Sequence, residues 1–171
     1  LQKADIIATI LFGDGAASAI ISTDPSSIGI GEGHETTWKD TLDIMGWEVD
    51  NTGLGVVFDR SIPAFAEEHL KSAIDIALQN SGLSQNDLNR FVMHPGGAKV
   101  VSAIETALEL EPACLDAERE VLKEYGNMSA PTVLFVLSKV LEAGGIGKMM
   151  VGALGPGFTA SFMPIEVKHG S

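Results

Sequence analysis

Two short motifs in the sequence each place a side-chain hydrogen-bond donor beside glycine. One is residues 94–97 (HPGG), which begins with His94, and the other is residues 125–129 (YGNMS), which contains Asn127. Glycine lets the backbone approach a ligand closely, so both donors are in a position to face a bound molecule. An imidazole and a carboxamide aimed at one point form an oxyanion hole, which stabilises negative charge developing on a carbonyl oxygen. The motifs therefore predict a site for carbonyl chemistry with His94 and Asn127 as its catalytic residues.

Both residues also have a structural interpretation. His94 follows an apolar run, where a histidine is often a hydrogen-bonded core residue, but the Pro-Gly-Gly after it favours an uncovered imidazole. Gly-Asn at a helix end is a common C-cap. Asn127, however, directly precedes an apolar helical stretch for which Ser129 can act as N-cap. Because the N-terminus of a buried helix favours an anion, we interpret both residues as functional.

The elements that must position these residues follow from hydrophobic periodicity. Residues 90–93 predict a short buried strand that ends at His94, and residues 116–125 and 130–141 predict helices on either side of Asn127. We expect further helices at residues 61–81 and 99–110, and strands or extended segments at residues 16–23, 28–34, 54–58, 148–153 and 158–167 and around Val49. This order predicts one domain with a mixed α/β layer.

Composition narrows the classes of partner. The 171 residues carry a formal net charge of −12, which argues against nucleic acid or an anionic membrane as partner. No apolar run reaches the length of a membrane span, and we expect no signal peptide.

The one cysteine, Cys114, fits a reducing cytoplasm. It lies in an acidic segment that disfavours a thiolate, so we interpret it as a bystander. The carboxylates and the other histidines, His34, His69 and His169, show no metal-ligand spacing, so we predict no metal site.

Together with residues 12–17 (FGDGAA) and 154–157 (LGPG), the two motifs resemble a type III polyketide synthase. This is the chalcone and stilbene synthase family of the thiolase superfamily. The resemblance covers nearly the whole chain and matches only the C-terminal half of the family. It implies that residues 1–171 form a C-terminal thiolase-like domain with the αβαβα layered fold and a mixed sheet. The nucleophilic cysteine of the family belongs to an N-terminal half that is absent here.

The resemblance implies a cytoplasmic, homodimeric acyltransferase whose substrates are an acyl-CoA starter and malonyl-CoA. His94 and Asn127 would hold the malonyl thioester carbonyl during decarboxylation, and the resulting enolate would attack the acyl-enzyme. No metal or redox cofactor is implied. Without the cysteine-bearing half, we expect the isolated chain to be inactive.

The resemblance also implies a set of substrate-binding residues. Phe12 matches a phenylalanine that guards the junction of the coenzyme A tunnel and the reaction cavity, and Lys99 would lie near the tunnel mouth. The remaining predicted substrate-binding positions are Trp47, Val56, Ser129, Gly155, Pro156 and Gly157. Trp47 replaces a small residue of plant chalcone synthases, Val56 a second guarding phenylalanine, and Leu154 an aromatic residue. These departures indicate a bacterial-type enzyme with a different starter unit.

Two alternatives remain open from the sequence. A β-ketoacyl-ACP synthase III-like condensing enzyme shares the Cys-His-Asn arrangement, but its histidine usually precedes Gln-Ala-Asn rather than Pro-Gly-Gly. The other is a non-catalytic thiolase-like module for dimerisation or acyl binding. A reading frame upstream of Leu1 that encodes a cysteine-bearing half would favour an enzyme.

Overall fold

The fold is a mixed sheet covered by helices on both faces. A computed structural model describes residues 3–24, 26–51 and 53–168. The helices are α1 (Lys3–Leu11), α2 (Ile62–Asn80), α3 (Ala98–Ala107), α4 (Asp116–Tyr125) and α5 (Pro131–Glu142). The strands are β1 (Ile28–Ile30), β2 (His34–Thr37), β3 (Met45–Asp50), β4 (Gly53–Phe58), β5 (Arg90–Met93), β6 (Gly147–Gly155) and β7 (Thr159–Val167).

The main sheet has five strands, and its long strands are at its centre. β7 pairs antiparallel with β6 on one side and with β1 and β2 on the other. β5 pairs in parallel with β6. A parallel neighbour needs a crossover connection, which the helices between β5 and β6 provide. β3 and β4 form a separate antiparallel hairpin.

Alternation along the strands divides the core between the two faces of the sheet. Phe91 and Met93 point into one hydrophobic cluster, which includes the buried side of α2 and α3, while Val92 between them points into the other. That second cluster includes Val136 and Val140 of α5. Successive strand residues point to opposite faces, so a strand buried on both sides is apolar throughout. This explains why the short strand leading to His94 has almost no polar residues.

Most predicted elements are confirmed. Residues 116–125 form α4 with the predicted bounds, residues 90–93 form β5, and α5 begins within one residue of the prediction. The extended segments around Val49 and at residues 54–58 form the β3–β4 hairpin. The segment at 28–34 is divided between β1 and the first residue of β2. Helix α2 follows Ser61 as expected, but the Ser61 side chain makes no capping bond.

Two predictions about local structure are wrong, and one helix has no prediction. Residues 16–23 are neither helix nor strand and are exposed, because no strand of the described chain lies beside them to accept their backbone bonds. Helix α1 was not predicted. Ser129 does not cap α5: its φ is 65°, and Ala130, which makes no side-chain capping bond, occupies the cap position. His169 lies outside the described residues.

Candidate active site

His94 stands at the C-terminal end of β5. Its backbone N–H donates to the Gly152 carbonyl of β6 at 2.8 Å, which continues the parallel pairing one residue past the strand. The side chain is half-buried, and burial lowers the pKa of His94 to about 4. At neutral pH the imidazole is therefore uncharged, with one ring N–H to donate and one ring nitrogen to accept.

His94 makes the stability of this chain depend on pH. Between its lowered pKa of about 4 and the ordinary 6.5, the unfolded chain binds a proton that the folded chain excludes. His94 therefore leaves the free energy of unfolding unchanged above the ordinary pKa of 6.5. It lowers that free energy as the pH falls from 6.5, and the loss is complete once the pH has passed through the folded-state pKa of about 4. We expect urea unfolding to show a smaller loss of stability between neutral and mildly acid pH in His94→Gln than in the wild type. Equal losses in the two proteins would contradict the burial of a neutral imidazole.

Asn127 lies in the short connection between α4 and α5 and is 5% exposed. Its Nδ2 donates to the Gly96 carbonyl at 3.1 Å, and its Oδ1 accepts the Ser129 N–H at 2.8 Å. These two bonds fix which end of the carboxamide is the donor. Since an amide nitrogen carries two hydrogens, one remains for a ligand.

Gly96 brings the two motifs together. Its carbonyl holds the Asn127 amide, and a Cβ built on Gly96 would lie 3.9 Å from His94 Nε2. The imidazole and the carboxamide are therefore both adjacent to one residue of the HPGG loop. Their role as a donor pair stays a prediction.

The segment around Phe12 is attached to Asn127 through the backbone. The Asn127 N–H donates to the Leu11 carbonyl at 2.9 Å, and the Gly13 N–H donates to the Asn127 carbonyl at 3.0 Å. A Cβ on Gly13 would lie 2.0 Å from the Tyr125 carbonyl oxygen, so only glycine fits this approach. Phe12 is thereby held beside the candidate catalytic amide.

The β3–β4 hairpin forms a wall of aromatic and aliphatic side chains opposite this segment. Trp47 and Val56 are directly paired across the hairpin. The Phe12 ring is stacked on Trp47 with 6.4 Å between centroids and is 5.6 Å from Phe58. Trp47 remains 53% exposed, so much of its surface is free to contact a ligand.

These elements enclose a cavity of about 870 Å³. Nine of the ten residues predicted for the site line it: His94, Asn127, Phe12, Trp47, Val56, Lys99, Ser129, Gly155 and Pro156. Gly157 is not among the lining residues. Its N–H donates to the Met45 carbonyl and its carbonyl accepts from Thr41, so it attaches the closing loop to the segment that leads into the hairpin.

Two cations and the helix α1 also contribute to the cavity. Lys99 and Arg60 both line it, and neither forms an ion pair within the described part of the chain. Arg60 was missed at the sequence level, although an arginine next to a predicted helix start was a usable signal. Ile7 and Leu11 line the cavity from α1, which was not predicted.

The remaining polar candidates lie elsewhere. Cys114 is exposed between α3 and α4 and does not line the cavity. Among the residues that the structure describes, no three histidine, cysteine or acidic side chains are grouped so that they could hold a metal ion. Nor does any helix within the described ranges have the length and apolarity needed to cross a membrane.

The layered mixed α/β fold is that of a thiolase-like domain. Residues 35–165 match the family described as chalcone and stilbene synthases, C-terminal domain. The chain belongs to this family, and the fold predicted from the sequence motifs is confirmed.

Two bacterial relatives match nearly all of this chain over about half of their own length. A chalcone synthase-like protein of Bacillus subtilis (strain 168) is 32% identical over 181 residues, which cover 99% of this chain and 50% of the relative. The 1,3,6,8-tetrahydroxynaphthalene synthase of Streptomyces peucetius subsp. caesius is 35% identical over 173 residues, covering 94% and 45%. The chain therefore spans about half the length of the relatives it matches.

A solved structure gives the same result. The crystal structure of 1,3,6,8-tetrahydroxynaphthalene synthase from Streptomyces coelicolor A3(2), a bacterial type III polyketide synthase, matches with a TM-score of 0.91 and 26% identity. The match covers 99% of this chain and 50% of that chain.

Proposed function

We propose that this chain supplies the His–Asn part of the active site of a type III polyketide synthase. The reaction is decarboxylative condensation of malonyl-CoA onto an acyl-CoA starter, with no metal or redox cofactor. The observation that carries the proposal is the placement of His94 and Asn127 on one cavity, both adjacent to Gly96. Membership of the chalcone and stilbene synthase family supports it.

In the proposed reaction the two donors act on the thioester oxygen of malonyl-CoA. The imidazole N–H and the Asn127 Nδ2–H hold the carbonyl while the bond to the carboxylate breaks. Carbon dioxide leaves, and the electron pair becomes an enolate whose oxygen these donors stabilise. The enolate carbon then attacks the acyl thioester on the cysteine of the other half, and the thiolate departs.

The lowered pKa of His94 fits a neutral donor for the thioester oxygen. When the cysteine thiolate is beside it, the negative charge favours the imidazolium and raises this pKa. The same residue then supports the nucleophile as well as the oxyanion. In this proposal the thiolate comes from a cysteine outside residues 1–171.

Apolar side chains at the site favour loss of carbon dioxide. Phe12, Trp47 and Phe58 form one aromatic surface on the cavity wall. A carboxylate near such a surface is poorly solvated, which disfavours the charged group relative to the departing neutral molecule. Trp47, a large residue beside Val56, is the position we propose to limit the starter or the growing chain.

Lys99 and Arg60 are the residues that we propose to bind the anionic part of coenzyme A. The net charge of −12 opposes a polyanionic ligand at long range. The described lining holds these two cations and one carboxylate, Asp59, which interacts with Arg60, so the cavity wall keeps a net positive charge. We further propose that the complete protein acts in the cytoplasm as a homodimer.

The function is tested by comparing the full-length protein with residues 1–171 alone. Each is incubated with an acyl-CoA and malonyl-CoA, and products are identified by mass spectrometry. We expect polyketide only from the full-length protein, because the described residues place no cysteine on the cavity. Product from residues 1–171, with an acyl group on Cys114, would contradict the assignment of Cys114 as a bystander. A full-length protein that binds acyl-CoA without forming product would instead indicate a non-catalytic module.

A further inference from the structure

Glu118 is a fully buried carboxylate that the proposed reaction does not use. It lies in the first turn of α4 and has 0% of its surface exposed. Burial raises its pKa, and hydrogen bonds from Met93 and Arg90 oppose this rise. An acidic side chain is rarely buried unless it is paired, so its partners indicate why it is there.

Both carboxylate oxygens bind the strand that ends at His94. Oε1 accepts the backbone N–H of Met93 at 3.0 Å, and Oε2 accepts from Arg90 Nη2 at 2.9 Å. Arg90 is the first residue of β5 and Met93 the last. One side chain therefore holds both ends of this short strand.

These bonds are on the edge of β5 that has no neighbouring strand. β5 pairs with β6 alone within the described residues, and the His94 N–H points towards β6. Since backbone N–H groups alternate along a strand, the Met93 N–H points the other way. The Glu118 carboxylate satisfies this group in place of a strand. Because the peptide unit is planar, a displacement of Met93 is passed directly to His94.

The same helix leads to the second donor. α4 ends at Tyr125, and Asn127 follows after Gly126. We propose that Glu118 is a positioning residue for the His94–Asn127 pair, because it fastens the helix that leads to Asn127 to the strand that leads to His94. This inference rests on the proposed function of the two donors.

Two double variants separate the hydrogen bond from the ion pair. R90M/E118Q removes both charges but keeps an oxygen that can accept the Met93 N–H. R90M/E118L removes both charges and leaves that N–H without a partner. In the full-length protein we expect the kcat for carbon dioxide release from malonyl-CoA to fall at least about 10-fold further in R90M/E118L than in R90M/E118Q, with KM little changed. Misplacing a catalytic group by about 1 Å is enough for an effect of this size.

The matched control is Glu105→Gln. Arg119 binds Glu105 through two hydrogen bonds of 2.6 Å, which join α3 to α4 without contacting β5. This variant loosens α4 but leaves the Met93 N–H bonded. We expect it to lower the melting temperature while leaving kcat within about 3-fold of the wild type, a change far below the cost of a misplaced group.

The second measurement is the His94 ring signal in histidine-labelled NMR spectra of the full-length protein, assigned with His94→Gln. The signal should move in R90M/E118L and stay in place in R90M/E118Q and Glu105→Gln.

If R90M/E118L is not obtained folded, Glu118→Asp replaces it, because a side chain shorter by one methylene cannot keep both bonds. Equal kcat values in R90M/E118L and R90M/E118Q, together with an unmoved His94 signal in R90M/E118L, would overturn the inference. A wild-type protein that releases no carbon dioxide would refute the proposed function instead, while the NMR signal would still test the positioning.

Discussion

Replacement of Asn127 by alanine in the full-length protein is expected to slow decarboxylation of malonyl-CoA by a factor on the order of 10²–10³. This is the usual cost of losing one donor from an oxyanion hole. Loading of the starter acyl group should suffer less, because the free Nδ2 hydrogen of Asn127 serves the malonyl oxyanion. The measurement is release of labelled carbon dioxide from malonyl-CoA, with acylation of the cysteine followed separately by mass spectrometry.

The control for this variant must remove a hydrogen bond made by an asparagine that does not line the cavity. Asn89 accepts the Lys148 N–H at 2.9 Å through its Oδ1 and does not line the cavity. Asn89→Ala should therefore release carbon dioxide at close to the wild-type rate. Asn127→Asp, which keeps the size and the acceptor but lacks the donor, should be at least as slow as Asn127→Ala. Near-normal release by both Asn127 variants would show that this residue only connects two helices.

Replacement of His94 by alanine should impair both half-reactions, since the imidazole serves the cysteine thiolate and the thioester oxygen. His94→Gln retains an N–H donor but cannot form an imidazolium. It should therefore keep more decarboxylation than acylation, and it should raise the pH at which iodoacetamide alkylates the nucleophilic cysteine of the full-length protein.

The measurement pairs the pH profile of alkylation with carbon dioxide release for the two His94 variants. His69→Gln is the matched control, because His69 lies on α2 among aromatic side chains and does not line the cavity. We expect no change in either readout for that variant. An alkylation profile that does not move in His94→Ala would show that His94 is not paired with the nucleophile.

The convergence of His94 and Asn127 could be predicted because each residue is placed by a local signal. An apolar run of strand length ends at His94, and an amphipathic helix ends just before Asn127. Short-range periodicity determines these element ends well. The glycines after His94 and before Asn127 then allow the two loops to meet at Gly96.

Features that depend on a distant partner could not be predicted from the same patterns. Residues 16–23 have strand composition, but a strand also needs an adjacent edge, which the described chain does not supply. A helix N-cap needs extended backbone, whereas Ser129 has a φ of 65°. Ser129 was a reasonable cap by residue type and a wrong one by geometry.

The burial of Glu118 has a signal in the sequence, its position in the helical period of α4. It lies three residues from both Leu115 and Val121, which are buried, so the helical period places it on the inward face of α4. A single charge also begins the otherwise apolar strand at Arg90. Two opposite charges on inward-facing positions of separate elements predict a buried ion pair, but only the structure shows that the pair includes the Met93 N–H.

The exposure of residues 16–23 has a practical consequence for handling the isolated chain. This run (AASAIIST) contains no charge, proline or glycine, and Ile20 and Ile21 are 99% and 79% exposed. Uncharged segments of this length with β-branched residues are the sequence signature of intermolecular strand stacking. In the isolated chain, mutual repulsion from the net charge of −12 is the force that opposes such stacking, and added salt screens it. The colloidal behaviour of residues 1–171 is thus set by ionic strength, and low-salt buffers are the suitable conditions for keeping the chain dispersed.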